Sequence, residues 1–333
     1  MDRRKALETA AALAAPWRAG AQTLKARIGV ISLIADYSRL EEWQAFANEM
    51  ARRGYREGHE VEYVHRGANI QTEPELSERL RQGVEELSRL KVNLIYVVDG
   101  DAALPSIKRI SPTIPVVVDR FYLDPVERGL VASLARPGGN VTGNAVLQSE
   151  LEGKMVELLL EATGPQPMVG YLDVTYMQTW PRYPRVLESR RALGRTLHFT
   201  PVFDWLERFD DLDSVLRRFQ RQGVRAVKFD DPEFFVDRRS DVAAAFIARR
   251  LAAVSTETAY TRSGLLLTFG WDVADIARRS AAYADRILRG TRPQDLPVEQ
   301  VSTFKVGVNL ATARALAIRL PRSLVVRAHE VVE

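Results

Sequence analysis

The chain contains no cysteine. This excludes disulfides, thiolate catalysis, cysteine-ligated metals and a lipid anchor on cysteine, and it leaves the compartment open. No run approaches the ~18 apolar residues of a membrane span. An excess of one sign of charge is lacking as well: the net charge is +4 over 333 residues. The basic excess is mostly arginine scattered along helical segments, as at Arg190, Arg191, Arg217, Arg218, Arg249, Arg250, Arg278 and Arg279. Dispersed arginine of this kind reads as a solvated helix face, so no nucleic-acid partner is expected. The only histidines are His59, His65, His198 and His329, and three of them lie within or beside strand patterns. Neither a metal site nor a histidine-based triad is expected. The sequence has no G-x-G-x-x-G after a strand, no G-x-x-x-x-G-K-[ST], no H-E-x-x-H and no G-x-S-x-G. Ser32 has nothing nearby in sequence to activate it as a nucleophile. These absences favour a binder over an enzyme, with no cofactor.

What is present is an ordinary globular composition, 46% hydrophobic and 27% charged, long enough for two domains with sizeable cores. Residues 1–22 read as a secretory signal. Arg3-Arg4-Lys5 is a basic start, residues 6–15 are small and moderately apolar, and Ala19-Gly20-Ala21 is a small-x-small cleavage pattern before Gln22. The paired arginines suggest a twin-arginine route. A periplasmic protein without a lipid anchor is expected, or a cytoplasmic one if the signal is not used.

From residue 26 the pattern alternates strand and helix. Strands are expected at 26–32, 59–65, 92–98 and 114–118, with helices at 39–53, 74–90 and 102–110 between them. After a breaker the alternation restarts. Helices are expected at 149–162, 185–193, 212–222, 234–251 and 273–289, and strands at 168–174, 196–203, 224–229 and 264–269. The tail differs: it is extended over 296–303, a strand at 304–309, and helical at 310–317 and 323–332. Such alternation argues for doubly wound, mostly parallel sheets. The breaker is Arg136-Pro137-Gly138-Gly139-Asn140, preceded by one or two possible helical turns and followed by an extended Val141-Thr142-Gly143.

In open α/β sheets, ligands gather at the carboxyl ends of strands. The loops there carry aspartates beside aromatic rings, a set suited to an amine through salt bridges and cation–π contact. The candidate ligand-binding residues are Ser32, Tyr37, Asp99, Gly100, Asp101, Asp119, Phe121, Asp173, Tyr176, Asp230, Asp231 and Phe269. Any single aspartate among them could equally cap the next helix or make an Asx turn. Arg120 could hold a carboxylate or simply neutralise its loop.

Four blocks carry a resemblance to a known family. They are LVASLARPGGNVTG at 130–143, SGLLLTFG at 263–270, AYADRILRG at 282–290 with Pro293 and DLPVEQ at 295–300, and FKVGVN at 304–309 with Thr312 and Ala313. The ending RAHEVVE at 327–333 fits too. The chain resembles the substrate-binding proteins of ABC-type importers with the type I periplasmic binding fold, in the subgroup that includes tryptophan-binding members. The resemblance implies two Rossmann-like α/β lobes joined by three hinge crossings, at 140–146, 267–270 and 298–303. The lobe boundaries would be 27–143 plus 299–333 against 144–298, with Val141, Thr142, Gly143, Gly270 and Val301 as hinge residues. A small solute would bind between the closing lobes of a monomer, and a membrane permease would recognise the closed form. A ligand-sensing module of the same fold, acting on a signalling partner, is the alternative. The chain departs from its relatives at Asp99-Gly100-Asp101, across 173–180 and at Thr268-Phe269-Gly270, where ligand contacts would lie. The family's ligands therefore do not carry over.

Overall fold

The computed structural model describes residues 24–32, 37–38, 40–67, 73–98, 103–122, 124–146, 148–179, 183–230 and 233–333. The signal-like segment, Asp99, Gly100, Asp101 and Asp231 lie outside the described residues. The first half runs β1 (Ala26–Ser32), α1 (Glu41–Arg52), β2 (Val61–Gly67), α2 (Glu73–Arg89), β3 (Leu94–Val97), α3 (Leu104–Ile110), β4 (Val116–Phe121) and β5 (Val141–Ala145). The second half runs α4 (Gln148–Thr163), β6 (Met168–Val174), α5 (Tyr183–Leu197), β7 (Thr200–Leu206), α6 (Leu212–Arg221), β8 (Ala226–Phe229), α7 (Arg239–Ala248), β9 (Ala252–Ser255), α8 (Tyr260–Ser263) and β10 (Leu267–Trp271). The chain closes with α9 (Val273–Leu288), β11 (Glu299–Gln300), β12 (Phe304–Asn309), α10 (Leu310–Ala315), α11 (Arg322–Arg327) and β13 (Glu330–Val332).

The strands form two sheets, ordered β11-β5-β4-β3-β1-β2 and β13-β12-β10-β9-β8-β6-β7. Every pairing is parallel except β10 with β12. Helices cover both faces, so the strands read as nearly continuous apolar runs, as in Leu94–Val97 and Val116–Phe121. Two cores flank the first sheet, one including Phe46, Tyr96 and Ala281, the other Leu87, Ile107 and Val118. Tyr171, Leu267 and Val308 share a core on one face of the second sheet, and Phe219, Phe229 and Phe246 share one on the other.

The expected lobe boundaries are corrected at the tail. Residues 304–333 do not return to the first lobe: β12 pairs antiparallel with β10, and β13 pairs with β12, so both extend the second sheet. The helix that crosses back is α9, which packs on α1 and β4 of the first lobe and contributes Ala277, Ala281 and Ala284 to its core. The sequence pattern gives every segment a type but no partner, and pairing decides the lobe. Two local expectations also change. The helix expected over 234–251 ends at Ala248, because Arg250 takes a left-handed turn (φ 52°) without a glycine to signal it, and β9 follows. The helix expected over 323–332 ends at Arg327 and gives way to β13. Residues 130–135 before the breaker are bends with no helical turn.

Three connections join the lobes, leaving β5, β10 and β11. Val141, Thr142 and Gly143 lie inside β5, paired with Val116, Val117 and Val118, and the crossing begins beyond them at Val146. Gly270 lies inside β10 opposite Lys305. Val301 lies in the third crossing and donates its backbone N–H to the Ala145 carbonyl at 2.9 Å. The Thr142 hydroxyl donates to the Leu296 carbonyl at 2.9 Å, and Asp272, which caps α9, ion-pairs with Lys305 at 3.0 Å. The crossings are thus bonded sideways to one another.

Two glycines here are required by backbone approach. Gly143 has φ 149°, and a Cβ on it would overlap the Val118 carbonyl oxygen; a Cβ on Gly270 would overlap that of Thr256. Either Gly143→Ala or Gly270→Ala should lower stability by more than about 2 kcal/mol, whereas Gly290→Ala, which meets nothing within 4 Å, should cost about 1 kcal/mol. Urea denaturation of the three variants checks this, and equal losses would sink the steric account.

Candidate ligand-binding cleft

Both sheets share one winding. Setting aside the late-added strands, the first reads β2-β1-β3-β4-β5 and the second β7-β6-β8-β9-β10. The direction of winding reverses between β1 and β3, and again between β6 and β8. A crevice opens at such a switch point, at the carboxyl ends of the strands. Ser32 is the last residue of β1 and is buried beside the first crevice. Asp173 is the penultimate residue of β6, and Asp230 directly follows β8, so these two flank the second crevice. Tyr176 belongs to the 3-10 turn Thr175–Thr179 that follows β6.

The second crevice has a floor of charge. Tyr171 pairs with Lys228 and Leu172 with Phe229, so Asp173 and Asp230 fall in register on one face of the sheet. Asp173 is 2% exposed. Its Oδ2 accepts from the Arg190 guanidinium and, at 2.6 Å, from the Tyr183 hydroxyl. Tyr183 in turn accepts from Trp205 Nε1 at 2.6 Å. Arg190 also grips Glu152 through two nitrogens, at 2.8 and 3.1 Å. Lys228, 1% exposed, reaches Asp230 at 2.6 Å and Glu152 at 3.4 Å. Burial opposes both charges of the Lys228–Glu152 pair, yet each partner outweighs it. Asp230 and Glu152 hold the Lys228 pKa above the usual lysine value, and Lys228 and Arg190 hold Glu152 below the usual carboxylate value.

The first lobe carries a second buried carboxylate. A register shift between Val118 and Phe121 marks a β-bulge at Asp119-Arg120 opposite Asn144. Asp119 is fully buried and accepts from Tyr96 Oη at 2.7 Å and Ser280 Oγ at 3.1 Å. Asn144 Nδ2 donates to the Asp119 carbonyl at 3.1 Å and to Ser280 Oγ at 3.0 Å. Arg120 lies 3.4 Å from Asp119 Oδ2 and 3.3 Å from Glu42. Desolvation nevertheless dominates and pushes the Asp119 carboxyl up to about 6. Nearby, the Tyr37 hydroxyl meets His65 Nε2 at 2.8 Å, and both rings pack on Trp43. Burial, with Arg66 adding to it, lowers the His65 pKa to about 4. Phe121 is buried in the first-lobe core, and Phe269 stacks on Phe304 at 5.3 Å in the second-lobe core.

A model of the ABC transporter substrate binding protein family matches residues 27–332. The chain belongs to that family. A tyrosine-binding protein of Clostridioides difficile (strain R20291) is 21% identical over 289 residues, covering 87% of this chain and 80% of the relative. Among solved structures, a conserved domain protein from Vibrio cholerae superposes with a TM-score of 0.77 at 19% identity. The ABC domain in complex with L-Trp from Streptococcus pneumonia gives 0.75 at 20%. Each superposition covers 92% of this chain and 99% of the other. The two-lobed α/β fold is that of type I periplasmic binding proteins.

In this substrate-binding protein the lobes also meet through side chains, one contact beside a crossing and one on the surface. Tyr122, after β4, packs edge-on against Trp271 of the second lobe with ring centroids 6.0 Å apart. An exposed ion pair joins Glu127 to Arg185 at 3.6 Å. Among the described residues, no group of three or more His, Asp or Glu could hold a metal ion, and no helix is long and apolar enough to cross a membrane. Sequence reasoning named the aspartates but missed what holds them: Glu152, Arg190, Tyr183 and Trp205 in the second lobe, and Tyr96, Asn144 and Ser280 in the first. One signal was legible, because Lys228 interrupts the otherwise apolar strand Ala226–Phe229.

Asp119 makes stability pH-dependent with a definite sign. Below about pH 4 it is protonated in both states. Between about 4 and 6 the folded protein holds a proton that the unfolded chain releases, so stability falls as pH rises; above about 6 the slope vanishes. Relative to Asp119→Asn, the wild type should lose up to about 3 kcal/mol between pH 4 and pH 7. The opposing contribution of His65 is common to both proteins and cancels. Denaturant unfolding at the two pH values measures the difference, and a pH-independent gap would refute this role for Asp119.

Proposed function

We propose that this protein is the solute-binding component of an ABC-type importer and takes a small amine-bearing or aromatic solute between its lobes. The observation that carries the reading is the acidic pair Asp173 and Asp230 at the second crevice, set among Tyr171, Tyr183 and Trp205. Carboxylates in an aromatic setting attract an amine by charge and by the ring faces. The relatives' names point the same way, since one binds tyrosine and another was solved with L-Trp. A ligand that touches both lobes stabilises the arrangement in which they are close, and so shifts the population toward closure. The closed form is then the one a membrane permease meets. In this reading the signal-like residues 1–22 direct export to the periplasm, where the protein acts as a monomer that needs no cofactor.

A thermal-shift screen with amino acids, polyamines, nucleosides and aromatic acids tests the solute class. A ligand at 100 times its Kd adds about 2.7 kcal/mol to the unfolding free energy and raises Tm by several degrees. Amines or aromatic amino acids are expected among the hits; stabilisation by anionic sugars or phosphates alone would contradict the reading. Fractionation of the native host with N-terminal sequencing tests export, where an intact Met1 in the cytosol counts against it.

A further inference from the structure

We propose that the second-lobe switch point, between Asp173 and Asp230, is the seat of the solute's ammonium group, and that Arg190, Tyr183 and Lys228 are positioning residues for the two carboxylates. The inference rests on the solute-binding reading above and names which group of the solute the protein selects.

The support comes first from directionality. The Trp205 indole nitrogen can only donate, so its bond to Tyr183 makes the phenol oxygen an acceptor. The Tyr183 proton is then directed at Asp173 Oδ2, which Arg190 also holds. Lys228 occupies Asp230 Oδ2. Asp173 is thus held by two residues of α5 and Asp230 by Lys228 of β8, each carboxylate through its Oδ2. Asp173 Oδ1 is buried and has no hydrogen-bond donor among the described residues. A buried carboxylate oxygen without a donor is a standing deficit that a bound N–H group removes.

Charge gives the same answer independently. Among the described residues the cluster holds three carboxylates, Glu152, Asp173 and Asp230, against two cations, Arg190 and Lys228. Within this set of five, one negative charge is left over at a place where ligands gather. An ammonium supplies the missing charge and three donors to a pair of acceptors. A solute carboxylate at this point would meet like charge, and a neutral group would bury the surplus uncompensated, so the arrangement rejects both. The aromatic groups that frame the cluster, Tyr171 under Arg190 with the ring centroid 4.7 Å from its guanidinium carbon, and Trp205 on Tyr183, suit an amine carried on an apolar body.

The test uses the full chain and pairs of probes that differ only in one amine: L-tryptophan with indole-3-propionate, L-tyrosine with 3-(4-hydroxyphenyl)propionate, and L-norleucine with hexanoate. Ribose and putrescine complete the panel. Titration calorimetry should show at least one amine bound about tenfold or more tighter than its deaminated partner. Asp173→Asn should bring the two members of that pair within about threefold of each other, and Tyr183→Phe should narrow the gap in the same direction. Asp230→Asn keeps the test available if Asp173→Asn does not fold, as judged by circular dichroism and Tm. Equal binding of an amine and its deaminated partner by the wild type overturns the inference. So does an unchanged ratio in the folded variants. Binding of ribose alone overturns it together with the amine-or-aromatic solute class and leaves only the solute-binding role, and a panel in which nothing binds counts against both.

Discussion

The close approach of β4 and β5 is the constraint from which the hinge side of the molecule follows. Gly143 lets the Val118 carbonyl oxygen occupy the space a side chain would need. The register then slips, and the bulge at Asp119-Arg120 re-aims both side chains. Asp119 turns inward to Tyr96 and to Ser280 of α9, and Asn144 ties the same serine to the bulged backbone. One polar hub therefore links three strand segments of the first sheet to the helix that arrives directly from β10 of the second. Only Asp272 separates β10 from this anchored helix.

The second lobe solves a different problem with similar parts. Five charged groups are buried or half-buried around the β6–β8 crevice, which costs desolvation unless every charge is matched. Arg190 bridges two carboxylates, Lys228 bridges two, and Tyr183 and Trp205 complete a directional chain. The pairing is nearly complete, and the remainder falls on Asp173 Oδ1. In the first lobe, burial raises the Asp119 pKa to about 6, so below that pH its deficit is relieved by a proton. Two buried aspartates that look alike in the chain thus answer to different physics. One belongs to the hinge architecture, and the other stands at the crevice.

The candidate site was only partly legible. The aspartates at strand ends could be named because a parallel sheet delivers its loops to one edge, and strand ends can be read from hydrophobic periodicity. Phe121 and Phe269 were named on the same ground, yet both are buried in cores, because helices cover both faces of each sheet and the bulge after Val118 puts Phe121 on the side of Val116 and Val118. The supporting groups were beyond reach. Arg190 sits in a run of dispersed arginines that reads as surface, and only its meeting with Asp173 and Glu152 shows it buried at 2% exposure.

By itself the sequence determined the class of fold, two strand–helix series with a breaker between them, and the family, through blocks such as the one around Arg136-Pro137-Gly138-Gly139-Asn140. Those features are local: periodicity, turn residues and capping act within a few residues and leave their mark in the string. Tertiary structure alone decided which lobe receives each late segment, so that α9 returns to the first lobe and β12 and β13 stay with the second. It also decided which carboxylates are satisfied. Both are questions of pairing between groups far apart in the chain, where hydrogen-bond geometry and desolvation, and not residue type, set the outcome.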